Sequence, residues 1–158
     1  RRESTAQLHL FYTREYLRSC TSRRIDFERQ KMDIKRTVKI KNEEETRAFG
    51  FELGRQAHPG QVIALIGDLG TGKTTLTGYI AQGLGVSENI SSPTFTVVYR
   101  IGDADELFNI GAYEYFDGEG LCVIEWADLI LEELPENTDY ITIEYGGDEG
   151  ERIYRCTF

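Results

Sequence analysis

Residues 67–74 read GDLGTGKT, which satisfies the spacing G-x-x-x-x-G-K-[ST]. Gly67, Gly70 and Gly72 permit backbone angles that other residues resist. Consecutive N–H groups can therefore turn inward and form an anion nest at the start of a helix. Lys73 adds a point charge suited to the β- and γ-phosphates of a nucleotide, and Thr74 offers a hydroxyl to Mg2+. The plain alternative is a turn that is merely glycine-rich. Against it, an apolar run (VIALI, 62–66) enters the loop and a helical pattern (73–84) leaves it.

Nucleotide chemistry on such a loop also needs an acidic residue at the end of a neighbouring buried strand, to hold the metal directly or through water. LCVIEW supplies one: Leu121 to Ile124 are apolar and Glu125 follows at the C-terminal end, where open α/β sheets bind their ligands. The other reading of Glu125 is a surface carboxylate capping the next turn. Trp126, the sole tryptophan, is either a pocket wall or core. Between the two segments lies SSPTFTVV, in which Pro93 stiffens a polar loop. Thr94 is placed there like a switch threonine sensing a γ-phosphate, or it belongs to an ordinary turn. No N/TKxD guanine box occurs anywhere in the chain, which favours ATP over GTP.

The elements that must position these residues follow an alternating pattern from Met32 onward. TVKI reads as a short strand, and NEEETRAFGFELGRQA as a helix capped by Asn42 and acidic in its first turn. HPGQ is a turn, VIALIG a buried strand, and GKTTLTGYIAQGLG a helix closed by glycine. FTVVYRI predicts a strand, DADELFNIGAYEYF a partly helical stretch, LCVIEW a buried strand and DLILEEL a short helix ended by Pro135. YITIEY and RIYRCTF alternate with period two and predict an antiparallel pair at the far edge of the sheet. The expected fold is α/β: a P-loop NTPase-like, mainly parallel sheet flanked by helices, with an antiparallel edge near the C-terminus.

At 158 residues the chain is long enough for one domain with a proper core. No apolar run approaches the roughly 18 residues that would span a bilayer, so no membrane is expected. Cys20, Cys122 and Cys156 are widely spaced, and His9 and His58 are the only histidines. Neither a disulfide framework nor a zinc site fits that set, and a reducing cytoplasm is the expected home. Charge is uneven. Residues 1–31 hold eight basic and four acidic side chains, and the rest hold ten basic and twenty-three acidic. A body that acidic repels a phosphate backbone, so broad direct binding of duplex or RNA is not expected. Residues 1–31 form a basic extension in which Leu8, Tyr12 and Tyr16 lie at helical spacing. It is either a docking or regulatory arm or an upstream, non-native extension before a domain at 32–158. Its four acidic residues argue against a mitochondrial transit peptide.

Taken in order, GDLGTGKTTL, SPTFT, YRIGDADEL, IGAYEYF and VIEWADL followed by LP resemble the TsaE (YjeE) family, over residues 32–155. The family is the ATPase that bacteria need to make threonylcarbamoyladenosine in tRNA. The resemblance implies that Leu69, Gly70, Thr71, Gly72, Lys73, Thr74 and Thr75 bind ATP. It implies that Thr74 and Glu125 attend Mg2+, that Lys73 and Glu125 serve catalysis, and that residues 42–46 border the nucleotide. It further implies slow ATP hydrolysis that supports turnover of a separate two-subunit threonylcarbamoyl transferase (TsaD and TsaB type), with tRNA met only through that complex.

The chain departs from the family pattern at one place. The family has a longer stretch after SPTFT, with a strand carrying a His-x-Asp signature just before the Tyr-Arg pair. Here Val98 runs directly into Tyr99 and Arg100. Either one strand and one acidic ligand are lost, or that stretch is missing from this sequence. Loss of an internal strand would bare flanking apolar surface, which favours the latter. Two other function classes stay open: a P-loop small-molecule kinase, and a nucleotide-binding scaffold with little hydrolysis. Such kinases use arginine-rich lids, and between Asp103 and Glu151 there is no arginine or lysine.

Overall fold

The computed structural model describes residues 33–86, 95–98, 104–109, 111–116 and 118–158. The expectations placed on residues 1–31, on Pro93 and Thr94, and on the junction at Tyr99 lie outside these residues.

Six strands form one sheet in the order β1-β6-β5-β2-β4-β3. They are β1 (Arg36–Ile40), β2 (Val62–Gly67), β3 (Phe95–Val98), β4 (Leu121–Glu125), β5 (Asp139–Tyr145) and β6 (Arg152–Cys156). Among the described residues four helices accompany them: α1 (Glu43–Gln56), α2 (Lys73–Gly83), α3 (Ala104–Asn109) and α4 (Ala112–Phe116). β2 is buried along its whole length. It lies between β4 and β5, parallel to both, so VIALIG reads as a continuous apolar run rather than an alternating one.

Parallel pairing joins β5, β2, β4 and β3, while β6 is antiparallel to both β5 and β1. The sheet is thus mixed, which corrects the expectation of a mainly parallel one. The C-terminal pair is not the edge either. β5 is interior, and β1 closes that side by pairing along β6 from Arg36–Cys156 to Ile40–Arg152. The reason is visible in the side chains. Ile141 and Ile143 of β5 and Tyr154 of β6 are fully buried, so both strands need cover that an edge would not give. DLILEEL forms two short 3-10 turns, at 127–129 and 131–133, instead of an α-helix.

α1 begins at Asn42, whose side chain accepts from Glu45 N at 3.0 Å, and three glutamates fill its first turn. That cap and those charges offset the unpaired N–H groups and the positive end of the helix dipole. α1 packs on α2 through glycine. A Cβ on Gly54 would stand 2.0 Å from Ile80 O, and one on Gly83 2.0 Å from Phe51 O. Both helices cover a core that includes Ile63, Leu65, Leu76, Val123 and Ile141. Cys122 and Cys156 belong to that interior, where burial pushes their thiols up to about 12 and about 11. They stay protonated and act as small apolar side chains. Among the described residues no helix is long and apolar enough to cross a membrane.

Candidate functional site

The C-terminal ends of β2 and β4 lie side by side, with Leu65 opposite Glu125. The glycine loop leaves β2 and the chain turns away from β4 at Trp126, so both expected site segments emerge at one end of the sheet. Gly70 has φ +81° and Gly72 φ +98°, a region that side chains disfavour. Thr71 is buried and closes the turn, its hydroxyl donating to Asp68 O at 2.8 Å. Leu69 stands at the tip, 58% exposed. α2 starts at Lys73 with no side-chain cap and no acidic residue in its first turn. No side chain thus caps its leading N–H groups, the end of a helix at which anions are favoured.

Lys73 is only 5% exposed. Its Nζ donates to Gly67 O at 2.6 Å and Asp68 O at 2.8 Å, and it lies 3.8 Å from the centroid of the Trp126 ring. Burial lowers its pKa from the ordinary lysine value, and the negative charges of Glu125, Asp128 and Asp68 oppose that shift. Trp126 is half-buried and forms a wall against the ammonium. Its backbone is left-handed, at φ 60°, unusual for a residue with a large side chain.

Glu125 is 3% exposed, so it is not a surface capping residue. Its Oε2 accepts from the Thr74 hydroxyl at 2.7 Å and its Oε1 from the Thr77 hydroxyl at 2.8 Å. Thr74 and Glu125, far apart in sequence, thus share one hydrogen bond at the loop's mouth. Their donors are hydroxyl and carboxylate oxygens, the hard set that suits Mg2+. Thr75 is exposed on the first turn of α2. In residues 42–46, Glu43 Oε1 accepts from Tyr79 Oη of α2 at 2.7 Å and Thr46 Oγ1 from Tyr154 Oη at 3.5 Å.

Three contributors are not among the residues expected from the sequence. Thr77 could have been found, because it lies one helical turn beyond Thr74 and shares its face. Tyr145 and Arg152 carried no local signal. They touch the loop only because β5 neighbours β2, and the antiparallel turn brings β6 back past it.

The model of the family described as Threonylcarbamoyl adenosine biosynthesis protein TsaE matches residues 40–154, a span that takes in the glycine loop, Glu125 and Arg152. The chain belongs to the TsaE family. Among its TsaE relatives is the tRNA threonylcarbamoyladenosine biosynthesis protein TsaE of Bacillus subtilis, 41% identical over 125 residues, covering 71% of this chain and 79% of the relative. The TsaE of Treponema pallidum is 37% identical over 124 residues, covering 70% of this chain and 92% of the relative. A crystal structure of YdiB from Bacillus subtilis superposes with a TM-score of 0.63 at 36% identity, over 77% of this chain and 83% of that one. Since 71% of 158 residues is fewer than the 125 matched in the first relative, that TsaE has positions within the match that this chain lacks.

Proposed function

We propose that this chain is an ATP-binding, slowly hydrolysing accessory protein of threonylcarbamoyladenosine formation in tRNA. It acts in the cytoplasm on the TsaD- and TsaB-type transferase pair and meets tRNA only through that complex. The observation that carries the reading is the bond between Thr74 and a buried Glu125 at the mouth of a glycine loop that also encloses Lys73. Two chain segments, 67–74 and the end of β4, meet there with the groups that a nucleoside triphosphate and its metal require. The fold is then of the P-loop NTPase type. The loop N–H groups and Lys73 bind the phosphates, and Thr74 and Glu125 would hold Mg2+. When bound, Mg2+ supplies positive charge to the β- and γ-phosphate oxygens. Lys73 is pre-placed by the Gly67 and Asp68 carbonyls, and Thr77 fixes the orientation of Glu125. The family supplies the pathway, since the relatives are named for tRNA threonylcarbamoyladenosine biosynthesis.

The test is ATP hydrolysis by the full chain alone, with the transferase pair, and with candidate small acceptors. Stimulation by the protein pair alone is the expected result, and Lys73→Ala should abolish nucleotide binding. A phosphorylated acceptor would overturn the reading in favour of a kinase. ATP binding without turnover under every condition would favour a scaffold, the outcome that a genuine loss of the His-x-Asp strand would bring.

A further inference from the structure

The outer side of the glycine loop is held by the turn between β5 and β6. Tyr145 Oη donates to Leu69 O at 2.7 Å. Arg152 donates through Nε to Thr71 O at 3.0 Å, and its Nη2 reaches Gly70 O at 3.4 Å. Three consecutive loop carbonyls are thus gripped from behind. The guanidinium carbon lies 4.6 Å from the Tyr145 ring centroid, which makes the two side chains one unit.

That unit is itself anchored. Arg152 Nη1 donates to Glu151 O at 2.8 Å, and Gly146 N donates to the same oxygen at 2.9 Å. The Glu151 carboxylate accepts from Gly147 N at 3.0 Å and pairs with Lys39 Nζ of β1 at 2.8 Å. The path runs from β1 through the turn to the loop.

A loop whose N–H groups are to face an anion must point its carbonyls the other way. Carbonyls with no regular partner rotate to find one, and glycine neighbours offer little resistance. A planar guanidinium has donors in a fixed fork that can hold two carbonyls at once, which a lysine ammonium does not reproduce. Tyr145 is 52% exposed and Arg152 half-buried, so trimming Tyr145 opens no cavity in the core.

We propose that Tyr145 and Arg152 are positioning residues for the phosphate loop, holding its carbonyls outward so that its N–H groups are aimed before a ligand arrives. This rests on the reading of the loop as a phosphate site. In the full chain, Arg152→Ala should weaken ATP binding about tenfold by calorimetry and Tyr145→Phe about threefold, in keeping with lost hydrogen bonds. Arg152→Lys should recover only part of the loss. In ligand-free protein, amide hydrogen exchange of residues 69–72 should accelerate in Arg152→Ala, while amides in the middle of β5 and β6 keep their rates. Binding within twofold of the unaltered chain together with unchanged exchange at 69–72 would overturn the proposal. So would exchange accelerated equally throughout β5 and β6, the mark of a merely structural role. If the unaltered chain binds no ATP, the functional reading fails, and the exchange measurement still decides whether the pair orders the loop.

Discussion

Replacing Thr77 with valine isolates one hydrogen bond at the buried carboxylate. Valine has nearly the same shape and a similar helix propensity, so α2 and its packing are preserved. The Thr77 hydroxyl has one proton and two acceptors in reach, Glu125 Oε1 at 2.8 Å and Lys73 O at 3.0 Å. The charged oxygen is nearer and the stronger acceptor, and a carbonyl one turn back in a helix is already served by the backbone. The substitution therefore strips one donor from a carboxylate that is 3% exposed and leaves Thr74 as its remaining hydroxyl partner. A hydrogen bond to a charged group contributes about 1.5–3 kcal/mol. For a chain of this size each kcal/mol moves the melting temperature by about 2–4 °C, so a loss of roughly 2 kcal/mol lowers it by roughly 4–8 °C. Calorimetric melting at neutral pH measures that directly. Titration of magnesium in the ATPase assay should also show a higher metal requirement, because Glu125 is less firmly oriented. A melting temperature within about 1 °C of the unaltered protein, with the same magnesium dependence, would refute the reasoning.

Further outcomes follow from other contacts. Gly83→Ala drives a Cβ to 2.0 Å from Phe51 O and should cost about 3 kcal/mol or more. Gly78→Ala in the same helix meets nothing within 4 Å and should stabilise by about 0.5–1 kcal/mol; denaturant titration of both variants checks the contrast. Because burial lowers the Lys73 pKa, the unfolded chain holds that proton to higher pH than the folded one. Lys73 therefore contributes stability above its unfolded value, and that contribution is lost as pH falls through the folded value. Relative to Lys73→Met, the unaltered protein should gain stability between neutral pH and about pH 10, measured by denaturant titration at each pH. Trp126 is the sole tryptophan and has the Lys73 ammonium against its ring, so ATP should change its emission by drawing that charge away. The change should be absent in Lys73→Ala.

Local signals located most of the elements. The fully apolar β2, the capped α1 and the loop with its helix lie within a residue or two of their sequence boundaries, because each is set by neighbours in the chain. Pairing was harder to read. Alternation in YITIEY and RIYRC predicts strands but not their partners, and β1 had too few residues to announce that it closes the sheet beyond β6. At the site, the loop was legible because its chemistry is sequential. Glu125 was found by its place at a strand end, but its burial and its two hydroxyl donors needed the fold. Arg152 was invisible, since its role depends on a turn that returns beside the loop and on nothing in its own surroundings.

The meeting of α1 and α2 at Gly54 and Gly83 bears on how the site could communicate. Backbone lies against backbone there, with no layer of side chains to compress or change rotamer. Such a joint has no play, so the helices can move together but cannot slide past one another. α2 begins at Lys73, and Phe51 on α1 is 44% exposed. A push on that outer face would therefore be passed along α2, the helix that opens at the glycine loop.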